Sequence, residues 1–217
     1  MDTLADYYAK RAPEYERIYH KPERQADLHR LRQSVTATFA GRRVLEVACG
    51  TGWWTEVLAT TAESVVATDL NEEVLAVART KPHAGNVLFQ RADAFALDQV
   101  SGDFDAVLAV FWWSHLTSAK LARFLSVLHR RIQPGGLVVF IDNIFVPGSS
   151  TPISRRDNEG NTYQMRKLDD GTTTEVLKNF PTDAEIESAL GNRSRNLSVE
   201  RLTYFWQARY SSSEQTM

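Results

Sequence analysis

Glu46, Gly50, Gly52, Asp69 and Asp93 are the residues whose types and spacing point most directly to chemistry. They lie in Val44-Leu45-Glu46-Val47-Ala48-Cys49-Gly50-Thr51-Gly52, in Ser64-Val65-Val66-Ala67-Thr68-Asp69-Leu70 and in Asn86-Val87-Leu88-Phe89-Gln90-Arg91-Ala92-Asp93. Each acid sits at the end of an apolar run that reads as a β-strand. The two glycines lack Cβ atoms where a strand bends sharply into a helix and where backbone must approach a ligand. A Gly-x-Gly pair alone is a weak signal, but at a strand-to-helix junction it has the context it needs. An acid at the end of the second strand suits ribose hydroxyls. One at the end of the third strand can reach an adenine edge. The implied chemistry is recognition of a ligand that carries a nucleoside.

A second group follows the fourth apolar run, in Phe111-Trp112-Trp113-Ser114-His115-Leu116. A histidine with an ordinary pKa of ~6.5 accepts a proton near neutral pH. His115 is therefore a candidate catalytic base, worth ~10²–10⁴-fold in rate. Its other reading is an anchor that holds its loop by a hydrogen bond. Trp53, Trp54, Trp112 and Trp113 lie at the exits of the first and fourth strands, and aromatic faces attract cations. Trp54 and Trp112 are expected to line a pocket while the other member of each pair packs in the core. Asp142 and Asn143 end a fifth run, where they either orient an acceptor or cap the local turn. Cys49 reads as a small buried residue. Arg155, Arg156, Arg166 and Lys178 read as solvated surface charge, with an anionic ligand as the alternative. The five histidines are dispersed and no acid cluster has metal-ligand spacing, so no metal site is expected.

The positioning elements follow from periodicity. RVLEVA, SVVATDL, NVLFQRAD, FDAVLAVF and LVVFIDNIF read as strands. Helix-like segments alternate with them, such as WWTEVLATT, NEEVLAVART with Asn71 as N-cap, and SAKLARFLSVLHRRI ending at Pro134-Gly135-Gly136. The alternation predicts an α/β fold: a Rossmann-like, doubly wound, mostly parallel sheet. One domain is expected over 1–217. It divides into an N-terminal helical lid at 1–38, a ligand-binding core at 43–146, a loop and hairpin insertion at 147–180, and a C-terminal helix and strand at 181–210. Asp170-Gly171 marks the hairpin turn. SSSEQTM reads as a frayed tail.

The composition agrees with one soluble domain. The chain has 217 residues, 43% of them hydrophobic, which suffices for a sizeable core. A net charge of -2, with dispersed arginine pairs, provides no basic stripe for nucleic acid. A single cysteine excludes an internal disulfide. The start, MDTLADYYAK, lacks a secretory h-region, and no apolar run is long enough for a membrane span. A cytoplasmic location is expected, with no nucleic-acid or membrane partner and a homodimer left open.

The ordered set resembles the class I S-adenosylmethionine-dependent methyltransferases, in their small-molecule, ubiquinone/menaquinone-type branch. It is carried by Glu46-x-x-x-Gly50-x-Gly52, Asp69-Leu70-Asn71, Arg91-Ala92-Asp93-Ala94, Phe104-Asp105 and Pro134-Gly135-Gly136. The resemblance covers roughly the middle two-thirds of the chain. It implies S-adenosyl-L-methionine as cofactor and a small-molecule acceptor. Glu46, Ala48, Gly50 and Gly52 of the loop would hold the methionine part, Asp69 the ribose, and Asp93 and Ala94 the adenine, with Trp54 and Leu70 also expected at the cofactor. Val110 and Phe111 would flank it. It also implies lid helices, with Tyr15 near the cofactor and Tyr8 and Tyr19 at the acceptor pocket, alongside Trp112, Asp142 and Asn143. The alternatives are a non-catalytic cofactor-binding protein and a nucleotide-dependent oxidoreductase. The latter wants a third glycine where Thr55 stands, and Trp53-Trp54 would crowd a pyrophosphate.

Overall fold

Five apolar segments become parallel neighbours in a seven-stranded sheet. They are β1 (Arg43–Val47), β2 (Ser64–Asp69), β3 (Val87–Arg91), β4 (Phe104–Val110) and β5 (Ile132–Asn143). Two antiparallel strands, β9 (Ser194–Arg201) and β10 (Phe205–Ser212), complete the order β3-β2-β1-β4-β5-β10-β9. The computed structural model describes residues 11–213, and for positions 12–15 the backbone alone. Tyr8 and the side chain of Tyr15 lie outside the described residues.

Side chains alternate between the two faces of this sheet, as strand geometry requires. Leu45, Val107, Val138, Phe140 and Trp206 pack on one face, and Val44, Leu108, Val139, Ile141 and Phe205 on the other. Helices cover both faces, which is why the central strands read as continuous apolar runs. They are α1 (Gln25–Thr38), α2 (Trp53–Ala59), α3 (Glu72–Thr80), α4 (Ser118–Arg131) and α5 (Asp183–Leu190). Thr182 and Glu185 form a reciprocal capping box on α5. Asn71 is the N-cap of α3, but its side chain makes no capping bond.

Helix α4 ends at Arg131, before Pro134, and β5 begins at Ile132. The start of the expected frayed tail, SSSEQTM, is strand, and its last four residues lie outside the described residues. Ser211 pairs with Leu137 and Ser212 with Ser194, so β10 continues through both.

A small sheet lies apart from the main one: β6 (Arg155–Arg156), β7 (Thr162–Lys167) and β8 (Thr173–Leu177). Asn179, just beyond β8, docks it on the loop after β4 through its backbone and its side chain. Asn179 N donates to Ser114 O at 2.8 Å, and Asn179 Nδ2 to Leu116 O at 3.1 Å. At the other end, 3₁₀ turns span Ala12–Tyr19. Thr51 Oγ1 donates to Glu16 at 2.8 Å and Arg17 pairs with Asp169 at 2.7 Å. These turns therefore bridge the glycine loop and the hairpin. Among the described residues, no helix is long and apolar enough to cross a membrane.

Candidate active site

The chain order reverses between β1 and β4, and open α/β sheets bind ligands at such a switch point, beyond the carboxyl ends of the strands. Two cavities meet there.

The first cavity opens over β1, β2 and β4. Ala48 and Phe111, which follow β1 and β4, both adopt left-handed backbone at φ 56° and 57°. Such strain in non-glycine residues costs on the order of 1–3 kcal/mol and collects at functional sites. Gly50 N donates to Asp69 Oδ2 and Asn71 N to Asp69 Oδ1, each at 2.9 Å. The Asp69 carboxylate thus ties the glycine loop to the loop after β2. Burial raises its pKa, against the pull of those amides. Leu70, Val74, Ala94, Phe95 and Val110 give the cavity apolar walls, and Asp69 and Asp93 give it acidic ends. Trp112 completes the wall, and its Nε1 is buried with no hydrogen-bond partner.

The second cavity is lined by Arg11, Lys21, Arg24, Arg166 and Lys178, with Ser149, Thr151 and Asn143 between them. Phe111 and His115 line both cavities and form their common wall. Phe111 stacks on Tyr19 at 5.8 Å and on Phe205 at 5.7 Å between ring centroids, which holds its strained backbone in place.

His115 Nδ1 lies 2.7 Å from Leu177 O, so that nitrogen carries the proton and donates it. Burial, then the charge of Lys178, drives the His115 pKa down to about 3. The imidazole is neutral at physiological pH. This geometry contains the bond that the anchor reading requires.

Several expected site residues stand elsewhere. Trp54 is 2% exposed and packs in the core beneath the loop, because α2 turns its first face onto the sheet. Tyr19 is buried against Trp53, with rings stacked at 4.1 Å, and does not line either cavity. Gly52, at φ 80°, faces α3: a Cβ there would meet the Ala78 Cβ at 3.0 Å. The missing Cβ lets the loop pack closely on α3, and Gly52 lines neither cavity. Glu46 lies under the loop and accepts a 2.6 Å bond from Thr55 Oγ1, with its pKa pushed up to about 8 by burial. Asp142 is fully buried, bonded to Ser114 N and Ser114 Oγ at 2.9 Å each, so it braces the loop and lines neither cavity.

Other placements match more closely. Ala48, Gly50, Asp69, Leu70, Asp93, Ala94 and Val110 all line the first cavity. Trp112, expected at the substrate pocket, lines this cavity too and not the second. Asn143 lines the second cavity. Cys49 is buried and its thiol pKa is raised by that burial, so it stays protonated. Arg155 and Arg156 are exposed, but Lys178 is buried. Arg24 and Lys21 carried no motif in the sequence. They enter only because the chain after the 3₁₀ turns crosses the far end of β5.

A protein-family model described as a methyltransferase domain matches residues 44–136. The demethylmenaquinone methyltransferase of Thermus thermophilus is 33% identical over 141 residues, which cover 62% of this chain and 63% of that protein. The chain spans about half the length of other curated relatives it matches. Among solved structures, one described as a DhpI-SAM-HEP complex is 30% identical, with a TM-score of 0.77 over 96% of each chain. One described as a DhpI-SAH complex is 29% identical, with a TM-score of 0.76 over 99% of this chain and 97% of that one.

Proposed function

The chain belongs to the S-adenosylmethionine-dependent methyltransferases, and from that premise we propose that it transfers the methyl group of S-adenosylmethionine to a small molecule seated in the second cavity. The observation that carries this reading is the shared wall: Phe111 and His115 border both cavities. A donor on one side and an acceptor on the other would be held together there, and such positioning supplies much of the acceleration in a bimolecular transfer.

The first cavity suits the cofactor in chemistry. Asp69 offers acceptors for ribose hydroxyls, Asp93 with Ala94 and Phe95 an adenine site, and Ala48 and Gly50 backbone for the methionine part. The unpartnered Nε1 of Trp112 is a buried donor awaiting an acceptor. When bound, S-adenosylmethionine supplies a methyl on a sulfonium sulfur, whose departure leaves a neutral thioether. The Phe111 ring would face that cation. His115 contributes a neutral ring that fixes the loop and shapes the acceptor side.

Calorimetry with S-adenosylhomocysteine and with NAD tests the cofactor. Binding of the first without the second is expected, and the reverse pattern overturns the reading. Transfer of label from S-adenosylmethionine across a panel of small acceptors then tests turnover. Cofactor binding with no transfer to any acceptor class would leave a cofactor-binding protein instead.

A further inference from the structure

Resting on that methyltransferase reading, we propose that the second cavity is an oxyanion site, so that the acceptor carries a phosphoryl, phosphonyl or carboxyl group held chiefly by Arg24, Lys21 and Lys178. The central observation is Arg24. It is only 7% exposed, yet its described hydrogen bonds go to uncharged oxygens. Nη1 donates to Asn143 Oδ1 at 3.2 Å, and Nη2 donates to Ser149 Oγ at 3.0 Å and to Ser149 O at 3.4 Å. Nε donates to Ser149 Oγ at 3.4 Å. Among the described residues, no carboxylate stands within ion-pair distance of it. Its guanidinium also lies over the Tyr204 and Phe205 rings, at 5.4 and 5.7 Å.

A buried cation without a direct ion pair is expensive, and the acids nearest Arg24, Glu23 and Asp27, act on it only at longer range, Glu23 through Ser149 Oγ. Here it has cationic neighbours. Lys178 is 4% exposed, and Lys21 and Arg166 line the same space. The nearby acids are few. Asp142 pairs with Lys178 at 3.0 Å, and Glu23 stands 4.0 Å from Lys21. Burial lowers the pKa values of Lys21, Arg24 and Lys178, and the charge of Arg166 adds to that on all three, against the pull of Glu23 on Arg24 and of Asp142 on Lys178. An incoming anion would relieve that repulsion and take the forked geometry that guanidinium groups offer oxyanions.

The cavity is also small. It measures ≈ 80 Å³, against roughly 10–15 Å³ for a single water on that kind of measure. That admits an oxyanion with a short carbon chain, while Phe111, Phe180 and Phe205 supply an apolar remainder. A neutral quinol ring would bring no charge to set against Arg24.

The test loads the protein with S-adenosylhomocysteine and titrates inorganic phosphate, methylphosphonate, acetate and the uncharged dimethyl methylphosphonate by calorimetry. At least one anion should bind and the neutral ester should not. Preference for phosphate or methylphosphonate identifies a phosphorus oxyanion, and preference for acetate a carboxylate. Arg24→Gln should weaken anion binding about 10- to 100-fold, the range of a lost charge-assisted bond. Lys21→Gln should weaken it in the same direction, and it carries the test if Arg24→Gln fails to fold. Normal S-adenosylhomocysteine binding with no anion bound, or anion affinity unchanged in the folded variants, overturns this proposal. Loss of S-adenosylhomocysteine binding with anion binding intact overturns the methyltransferase reading instead.

Discussion

Lys178 Nζ lies 3.0 Å from Asp142 Oδ1, with both side chains sealed from solvent, so one ion pair joins the residue just after β8 to the end of β5. Lys178 Nζ also donates to Ser114 Oγ at 2.6 Å, and Ser114 itself is bonded to Asp142. The loop that carries His115 is thereby clamped from both sides.

Removing one partner of that pair strands a buried charge. Lys178→Met and Asp142→Asn should each lower stability by ~3–5 kcal/mol, read from urea unfolding midpoints. The double variant, Asp142→Asn with Lys178→Met, should recover a large part of that loss, because no uncompensated charge remains. A double variant whose loss equals the sum of the singles would show that the pair is not coupled.

His115→Gln should leave turnover within several-fold of wild type, with no pH limb near 6.5. Burial already keeps the ring neutral, with a pKa of about 3, and Nδ1 is committed to Leu177. A loss of about 100-fold that recovers at higher pH would restore His115 as the base.

Glu46 links stability to pH. Its folded pKa is about 8 against an ordinary value of 4.5. Between those values the folded state holds a proton that the unfolded state has lost, so this contribution declines as pH rises from 4.5 through 8. Glu46→Gln should match wild type near pH 5 and be the more stable of the two near pH 9. Parallel denaturation curves at the two pH values would sink the assignment.

Gly52→Ala should destabilise by on the order of 1–3 kcal/mol, from left-handed backbone and contact with Ala78. Cofactor affinity of the folded fraction should change little. A large loss of S-adenosylhomocysteine affinity at unchanged thermal midpoint would return Gly52 to the ligand.

The sequence determined the sheet, because apolar runs such as Phe104–Val110 can be satisfied only by burial on both faces. It also determined the first cavity. Ala48, Gly50, Asp69 and Asp93 stand at strand ends, and strand ends gather at the switch point whatever the loops do. Helical facing was not legible at that resolution. Trp53 and Trp54 are adjacent in sequence, and only packing against the sheet decided that Trp54 would be the buried one. The second cavity was still less legible. Arg24 and Lys178 are separated by more than half the chain and share no motif. Only the fold brings them to one cavity, where burial turns ordinary surface residue types into a concentrated positive charge. Local pattern encodes which segments pair, but the field inside a cavity is a sum over distant residues and exists only in three dimensions.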